Sequence, residues 1–282
     1  MKKFLILYLV LFVAMGPDMQ AAVIQMEEAA KKKWITINAK SLGGHSGKSL
    51  SVKIKNHTAN FISLMIPSGS RFKSEAAEYQ DLIVTKAELI AIQGLGEEIV
   101  LLNSFCCEAN DRSPSNDLSY TYLGRTDSSL SKLCRFINKN NFEEQAVQNA
   151  IWVLSNNHPI NNIYSADKNS ETQLTEFLCK MKGIQKPWYR VEYKNSDSIA
   201  FSEAPLNIHA EFNFLLTTNG MVTMILQDAS GKNVVVLMKE QPFNKGEYDF
   251  GFKLKASAMP KGKYYARLYA SDQKLYERVI EL

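Results

Sequence analysis

The feature that most constrains this chain is a period-2 alternation of apolar and polar residues in short runs, each closed by a turn signal. "WITIN" at 34–38 and "LSVKIK" at 50–55 carry it. Alternation sends successive side chains to opposite faces, so each run buries one face and needs a second layer against it. The chain is expected to be mostly β with a small helical part. An N-terminal β-sandwich with a helical cap comes first and an Ig-like β-sandwich second.

Further strands are expected at 61–66, 82–85, 88–92 and 98–103, with turns at Pro67-Ser68-Gly69 and Gly94-Leu95-Gly96. Residues 108–127, polar and holding Pro114, Asn116 and several serines, read as a loop. Helical spacing then appears. Leu130, Leu133, Cys134 and Ile137 predict a helix over 128–138, capped by Asp127 or Ser128. A second helix is expected over 142–155, with Ala146, Val147, Ala150, Ile151 and Leu154 as its buried stripe and Gln148 at the stripe's edge. A third covers 170–181 and stops at Gly183. Residues 155–167 form an Asn-rich loop with His158-Pro159 inside it.

Composition changes at Pro187. Strands are expected at 188–194, 206–214, 221–227, 234–239, 247–254, 263–270 and 275–280, separated by Gly220, Ser230-Gly231, Lys245-Gly246 and Lys261-Gly262. Seven short strands suit an immunoglobulin-like sandwich. Val222, Met224 and Leu226 should face one side of their strand, and Met221, Thr223 and Ile225 the other. The expected division is 23–186 and 187–282.

Residues 1–22 read as a secretory signal peptide. Lys2 and Lys3 precede an apolar run at 4–14, Gly16-Pro17 breaks it, and Met19-Gln20-Ala21 supplies a cleavage site. That run is too short to span a bilayer, and no transmembrane segment is expected in the mature chain. Export to the periplasm, the cell surface or the medium follows. The formal net charge of +4 includes Lys2 and Lys3. The remaining lysines are scattered, so no nucleic-acid stripe is expected. Cys106, Cys107, Cys134 and Cys179 make an even count, which in an exported chain suggests disulfides. A bond between neighbours is strained, so Cys106 and Cys107 are expected to pair with Cys134 and Cys179 in either order.

The C-terminal residues carry three turn motifs in order: D-x-x-G-K at 228–232, K-G-x-Y at 245–248, and P-K-G-x-Y-Y-A-R-L at 260–268. With these, the last part of the chain resembles the C-terminal sorting domain of type IX secretion cargo and the Ig-like module of flagellar hook-capping proteins. It departs from the sorting pattern at Glu281-Leu282, where such domains finish on a basic residue. The resemblance implies sorting or surface attachment through residues 215–282, with the secretion machinery as partner.

The N-terminal half holds Phe105-Cys106 and, further on, Gln148-Asn149-Ala150-Ile151-Trp152. These look like the two motifs of bacterial surface thioester domains, with Val147 where that family has Thr. The resemblance implies that the Cys106 thiol condenses with the Gln148 amide, that Trp152 shields the product, and that the thioester captures a partner amine. The plainer alternative is a disulfide-bonded Cys106 with Gln148 as a packed helix residue.

Other signals are weak. "GGHSGKS" at 43–49 fails the phosphate-loop spacing and precedes a strand, so a hairpin turn is expected. Cys106 or Cys107 with His158 and Asn157 would be needed for nucleophilic catalysis. His45, His57 and His209 lack metal-ligand spacing. Glu108, Asp111 and Asp117 share a loop without an EF-hand pattern, and no metal or cofactor is expected. Asn56-His57-Thr58 is a glycosylation sequon where the host modifies exported proteins. The reading is a non-enzymatic binding or adhesion protein at the cell surface with an unknown ligand. The alternatives are a secreted enzyme with Cys106 or Cys107 as nucleophile, or a covalent adhesin with a Cys106–Gln148 thioester.

Overall fold

A computed structural model describes residues 22–126, 128–194 and 201–282. The expected signal sequence through residue 21 and the candidate cap Asp127 lie outside the described residues. The fold is mostly β with a small helical part.

The chain opens with β1 (Val23–Gln25) and α1 (Met26–Lys31). β2 (Ile35–Leu42) and β3 (Leu50–Asn56) make a hairpin across residues 43–49. There follow β4 (Ile62–Ile66), β5 (Ser70–Ser74), β6 (Leu82–Val84), β7 (Glu88–Ile92), β8 (Glu97–Leu102), β9 (Ser104–Cys106) and β10 (Asn116–Arg125). They form a three-stranded sheet, β1-β4-β7, and a seven-stranded sheet, β8-β3-β2-β10-β5-β6-β9. Alternation fills the space between them. Leu50, Val52 and Ile54 of β3 meet Leu64 and Ile66 of β4, and Phe72, Leu82 and Trp152 complete the core.

Residues 108–127 are not one loop. β10 runs through the middle of the larger sheet, paired with β2 on one side and β5 on the other. Asn116, Asp117, Ser119 and Thr121 obscure an alternation of Leu118, Tyr120 and Tyr122, residue types that fit a pleated surface. Tyr120 is buried and its hydroxyl donates to the Gln80 carbonyl at 2.9 Å.

Three helices follow, α2 (Ser128–Asn138), α3 (Glu144–Ser155) and α4 (Lys168–Lys182), with a short 3-10 turn at Ile160–Asn162. Glu143 caps α3 by accepting from the Ala146 amide, and Asp167 caps α4 through Asn169 and Ser170. Gly183 closes α4 in the left-handed region, φ 66°. The helices build a second core from Leu130, Leu133, Ala150, Ile151, Leu174 and Leu178. The expected single buried stripe on α3 is an underestimate: every residue from Ala146 to Val153 is buried. Trp152 joins the sandwich core while Ile151 joins the helical one, so α3 is packed from both sides.

The last seven strands are β11 (Tyr189–Tyr193), β12 (Pro205–Leu216), β13 (Gly220–Asp228), β14 (Asn233–Phe243), β15 (Gly246–Lys255), β16 (Lys263–Ala270) and β17 (Gln273–Glu281). They stand in two sheets, β11-β12-β15 and β14-β13-β16-β17. Val222, Met224 and Leu226 point inward beside Phe212, Phe214 and Leu268, as alternation requires. The 228–232 turn is built on Asp228. Its Oδ1 accepts from the Ser230 amide at 2.9 Å and the Lys232 amide at 3.0 Å, and Gly231 takes φ +84°. That explains the D-x-x-G-K pattern in local terms: the carboxylate substitutes for backbone acceptors, and only glycine adopts the φ without strain.

Candidate functional site

β9 pairs with β6 through the Leu82–Cys106, Ile83–Phe105 and Val84–Ser104 positions. In an antiparallel ladder one residue's N–H and C=O point to the same side. The Cys107 amide donates to the Asp81 carbonyl on the β6 side, at 2.9 Å. Those of Cys106 therefore point to the outer edge of the sheet, where no strand follows.

Gln148 occupies that edge. Its Oε1 accepts from the Cys106 amide at 3.0 Å and its Nε2 donates to the Cys106 carbonyl at 2.9 Å. A side-chain carboxamide thus pairs with Cys106 as a neighbouring strand would. Both residues are buried, Gln148 at 1% exposure and Cys106 at 0%. Burial is what makes the two bonds matter, since unpaired amide groups in the interior cost free energy.

This geometry offers the thiol to the carboxamide in a particular way. An amide that bonds a strand's edge lies near the plane of that strand. The Cys106 side chain stands out of that plane. The backbone pairing therefore sets the carboxamide directly beside the residue that carries the thiol. Trp152, one helical turn beyond Gln148, packs in the same core cluster as Cys106. Its indole Nε1 is buried without a hydrogen-bond partner among the described residues. Phe201 lies edge-on to Trp152 with ring centroids 5.6 Å apart, and His158 packs on Phe201 at 4.4 Å with the rings tilted by 46°.

The 43–49 hairpin turn closes the rest of the β9 edge. The His45 carbonyl also accepts from the Cys106 amide, at 3.2 Å, and the Gly47 carbonyl accepts from Ser104 at 2.8 Å. The Ser46 hydroxyl donates to Glu144 at 2.8 Å, tying the turn to α3. Behind Cys106, Arg71 bridges Asp81 at 2.8 Å and Glu108 at 2.5 Å, and Glu108 accepts from the Asp81 amide at 2.6 Å. This network fixes the turn that leaves β9. The supporting roles of His45, Gly47, Arg71 and Phe201 had no local signature, because each acts through a contact distant in sequence.

The expected disulfides are not formed. All four cysteines are free thiols and all are buried. Cys106 belongs to the sandwich core, whereas Cys107, Cys134 and Cys179 belong to the helical core. The division follows from strand geometry, since adjacent residues on β9 and its exit point to opposite faces. Burial, then the Glu108 carboxylate, raises both the Cys106 and Cys107 thiols, and burial raises Cys179.

Of the remaining residues of interest, His158 reaches the site through Trp152, with ring centroids 6.0 Å apart, and the others lie elsewhere. Burial lowers the His158 pKa. His57 bonds Thr36 at 2.6 Å and His209 bonds Glu192 at 2.9 Å. Asp117 stands on β10 next to Lys40, 3.6 Å away, while Glu108 is held by Arg71, so the expected shared acidic loop does not exist. No group of His, Cys, Asp and Glu suited to a metal ion occurs among the described residues. The Asn56 amide is buried and donates to the Asn60 and Gln93 carbonyls, so the sequon is closed in the folded chain. No helix among the described residues is long and apolar enough to cross a membrane.

No known family model matches the chain, and a search of curated proteins returns no match either.

Proposed function

We propose that this is an exported surface adhesin whose N-terminal unit attaches covalently to its partner through a Cys106–Gln148 thioester, with residues 215–282 serving sorting or attachment. The single observation that carries this reading is the paired hydrogen bonding of the Gln148 amide to Cys106 in a buried setting. The bond-forming step is an exchange within the protein. The Cys106 sulfur adds to the Gln148 carboxamide carbon, the C–N bond breaks, and the thiol proton leaves on ammonia. The Cys106 amide, donating to Oε1, stabilises charge that develops on that oxygen. A partner amine then attacks the thioester carbonyl, forming an amide and restoring the thiol.

The raised thiol pKa values disfavour a cysteine nucleophile in repeated turnover, and they equally slow the single sulfur attack that forms the thioester. They are compatible with a thioester, because a buried thiol resists stray oxidation and a dry site slows hydrolysis.

Intact-mass measurement of the protein purified without added amine tests the reading. The expected mass is lower than the sequence mass by one ammonia. Methylamine should then add at Gln148, and Cys106→Ala should abolish both signals. Thiol counting after unfolding gives an independent readout. One cysteine fewer than the total should react with an alkylating agent, and amine treatment should restore it. A native mass equal to the sequence mass, with no methylamine uptake, would sink the thioester and leave a non-covalent binding protein.

A further inference from the structure

α2 and α4 leave between them an open cleft of about 520 Å³, lined by Lys132, Arg135, Phe136, Lys139, Phe177, Lys180 and Met181. Its floor is apolar and ordered. Phe136 stacks on Phe177 with centroids 4.1 Å apart and an interplanar angle of 2°, and Phe142 leans on Phe136 at 5.3 Å. Its rim is entirely cationic. Lys132, Arg135 and Lys139 follow an i, i+3, i+7 spacing that places them on one flank of α2 and its exit. Lys180 faces them from α4.

Two properties single out this cleft. The four cations are exposed and unpaired among the described residues, and the nearby Glu176 is engaged with Lys186 at 3.3 Å. Mutual repulsion of neighbouring like charges is therefore left uncompensated. Further, no amide, hydroxyl or carboxylate lines the cleft. A bound peptide would bury backbone N–H groups with no acceptor to receive them. A second copy docking by this same face brings the same cations and is repelled. The ligand that fits offers anionic oxygens at the rim and hydrocarbon at the floor.

We propose that this cleft docks the protein on an anionic phospholipid surface. Lys132, Arg135, Lys139 and Lys180 meet the phosphate oxygens, their methylene stems lying along the aromatic floor. Phe136, Phe177 and Met181 reach the boundary between headgroup and acyl chain, as amphipathic interfacial helices do. The inference is independent of the thioester, since it uses neither Cys106 nor Gln148.

The test is co-sedimentation of the purified full chain with vesicles of phosphatidylcholine alone or of phosphatidylcholine mixed with phosphatidylglycerol. The expected result is preferential binding to the phosphatidylglycerol vesicles, weakened by added salt. Arg135→Glu with Lys139→Glu, and separately Lys180→Glu, should each lower that binding about tenfold or more while circular dichroism stays unchanged. Using two variants on different helices keeps the test decisive if one misfolds. The apolar run at 4–14 is common to every form and reads out in the neutral vesicles. Equal binding to both vesicle types, or charge-reversed variants that bind like the parent, would overturn the proposal. So would binding to polyglutamate with none to vesicles, which would identify the ligand as an acidic polypeptide.

Discussion

Arg190 of β11 lies 3.7 Å from Glu171 of α4, and both side chains are more than nine-tenths buried. The pair joins the helical part to the first strand of the last sandwich. Burial lowers the Arg190 pKa and the Glu171 charge opposes that shift. Glu171 also receives Lys168 at 3.2 Å and the Ser165 amide at 3.2 Å, whereas Arg190 otherwise relies on the carbonyls of Pro187 and Tyr189. Removing the acid should therefore hurt more than removing the base. Glu171→Ala is expected to cost about 3–5 kcal/mol, and Arg190→Met less. Urea denaturation of both variants measures the asymmetry, and equal losses would contradict it.

In a Cys106→Ala background, where no thioester can form, Gln148→Leu keeps the side-chain bulk and removes both bonds to the backbone of residue 106. The carbonyl there loses its partner while the amide keeps the longer bond to His45. A loss of about 2–3 kcal/mol is expected, read as a lower denaturation midpoint. A shift below about 0.5 kcal/mol would mean that the amide contributes little to holding β9 in place.

Glu108 gives the fold a pH dependence of defined sign. Burial, then the Asp81 charge, raises its pKa above the ordinary 4.5. The folded chain therefore holds more protons than the unfolded one over the window that starts near 4.5. Stability from this group is present below that window and is lost as pH rises through the folded value. Asp228 and Asp167 have lowered values, so their contributions hold above the ordinary 3.8 and are lost as pH falls. Denaturation midpoints over a pH series should show Glu108→Gln flattening the slope on the upper side only.

Two glycines in the left-handed region should respond differently to alanine. A Cβ on Gly47 would come within 2.7 Å of the Glu144 carboxylate, while one on Gly231 meets open space. Gly231→Ala is expected to cost about 1–2 kcal/mol from backbone strain alone. Gly47→Ala should cost more, because it also displaces the turn that holds Ser104 and Cys106. Similar midpoints for the two variants would show that Glu144 swings away freely.

The last sandwich was legible because each strand announces itself locally. Met221 to Leu226 form a short apolar run broken only by Thr223, and Asp228 and Gly231 fix the turn that follows. β10 was missed for the converse reason. Its evidence is three residues, Leu118, Tyr120 and Tyr122, diluted by Asn116, Asp117 and Ser119, and its strand state depends on β2 and β5 on either side. The meeting of Cys106 and Gln148 was expected from the two motifs, but its form was not: the carboxamide pairs with the Cys106 backbone, because β9 presents its outer edge to α3. The expected disulfide of Cys106 fails on direction, since Cys134 and Cys179 lie in the other core, whereas Cys107 shares that core with both and is still a free thiol. Cys106 and Cys107 are adjacent in sequence yet face different cores.

The Gln148 amide has a consequence for how the chain behaves in a crowded solution. An unpaired outer strand is a template on which another chain can add. At β9 that template is occupied, because a side chain and the 43–49 turn take its donors and acceptors. The opposite end of the same sheet is β8, where Ile99 and Leu101 are exposed and only Glu97 and Glu98 supply repelling charge. Self-association of this sheet, when it occurs, should begin at β8. Neutralising Glu97 and Glu98 should promote aggregation of the folded protein more than any change along the sealed edge that leaves Gln148 in place.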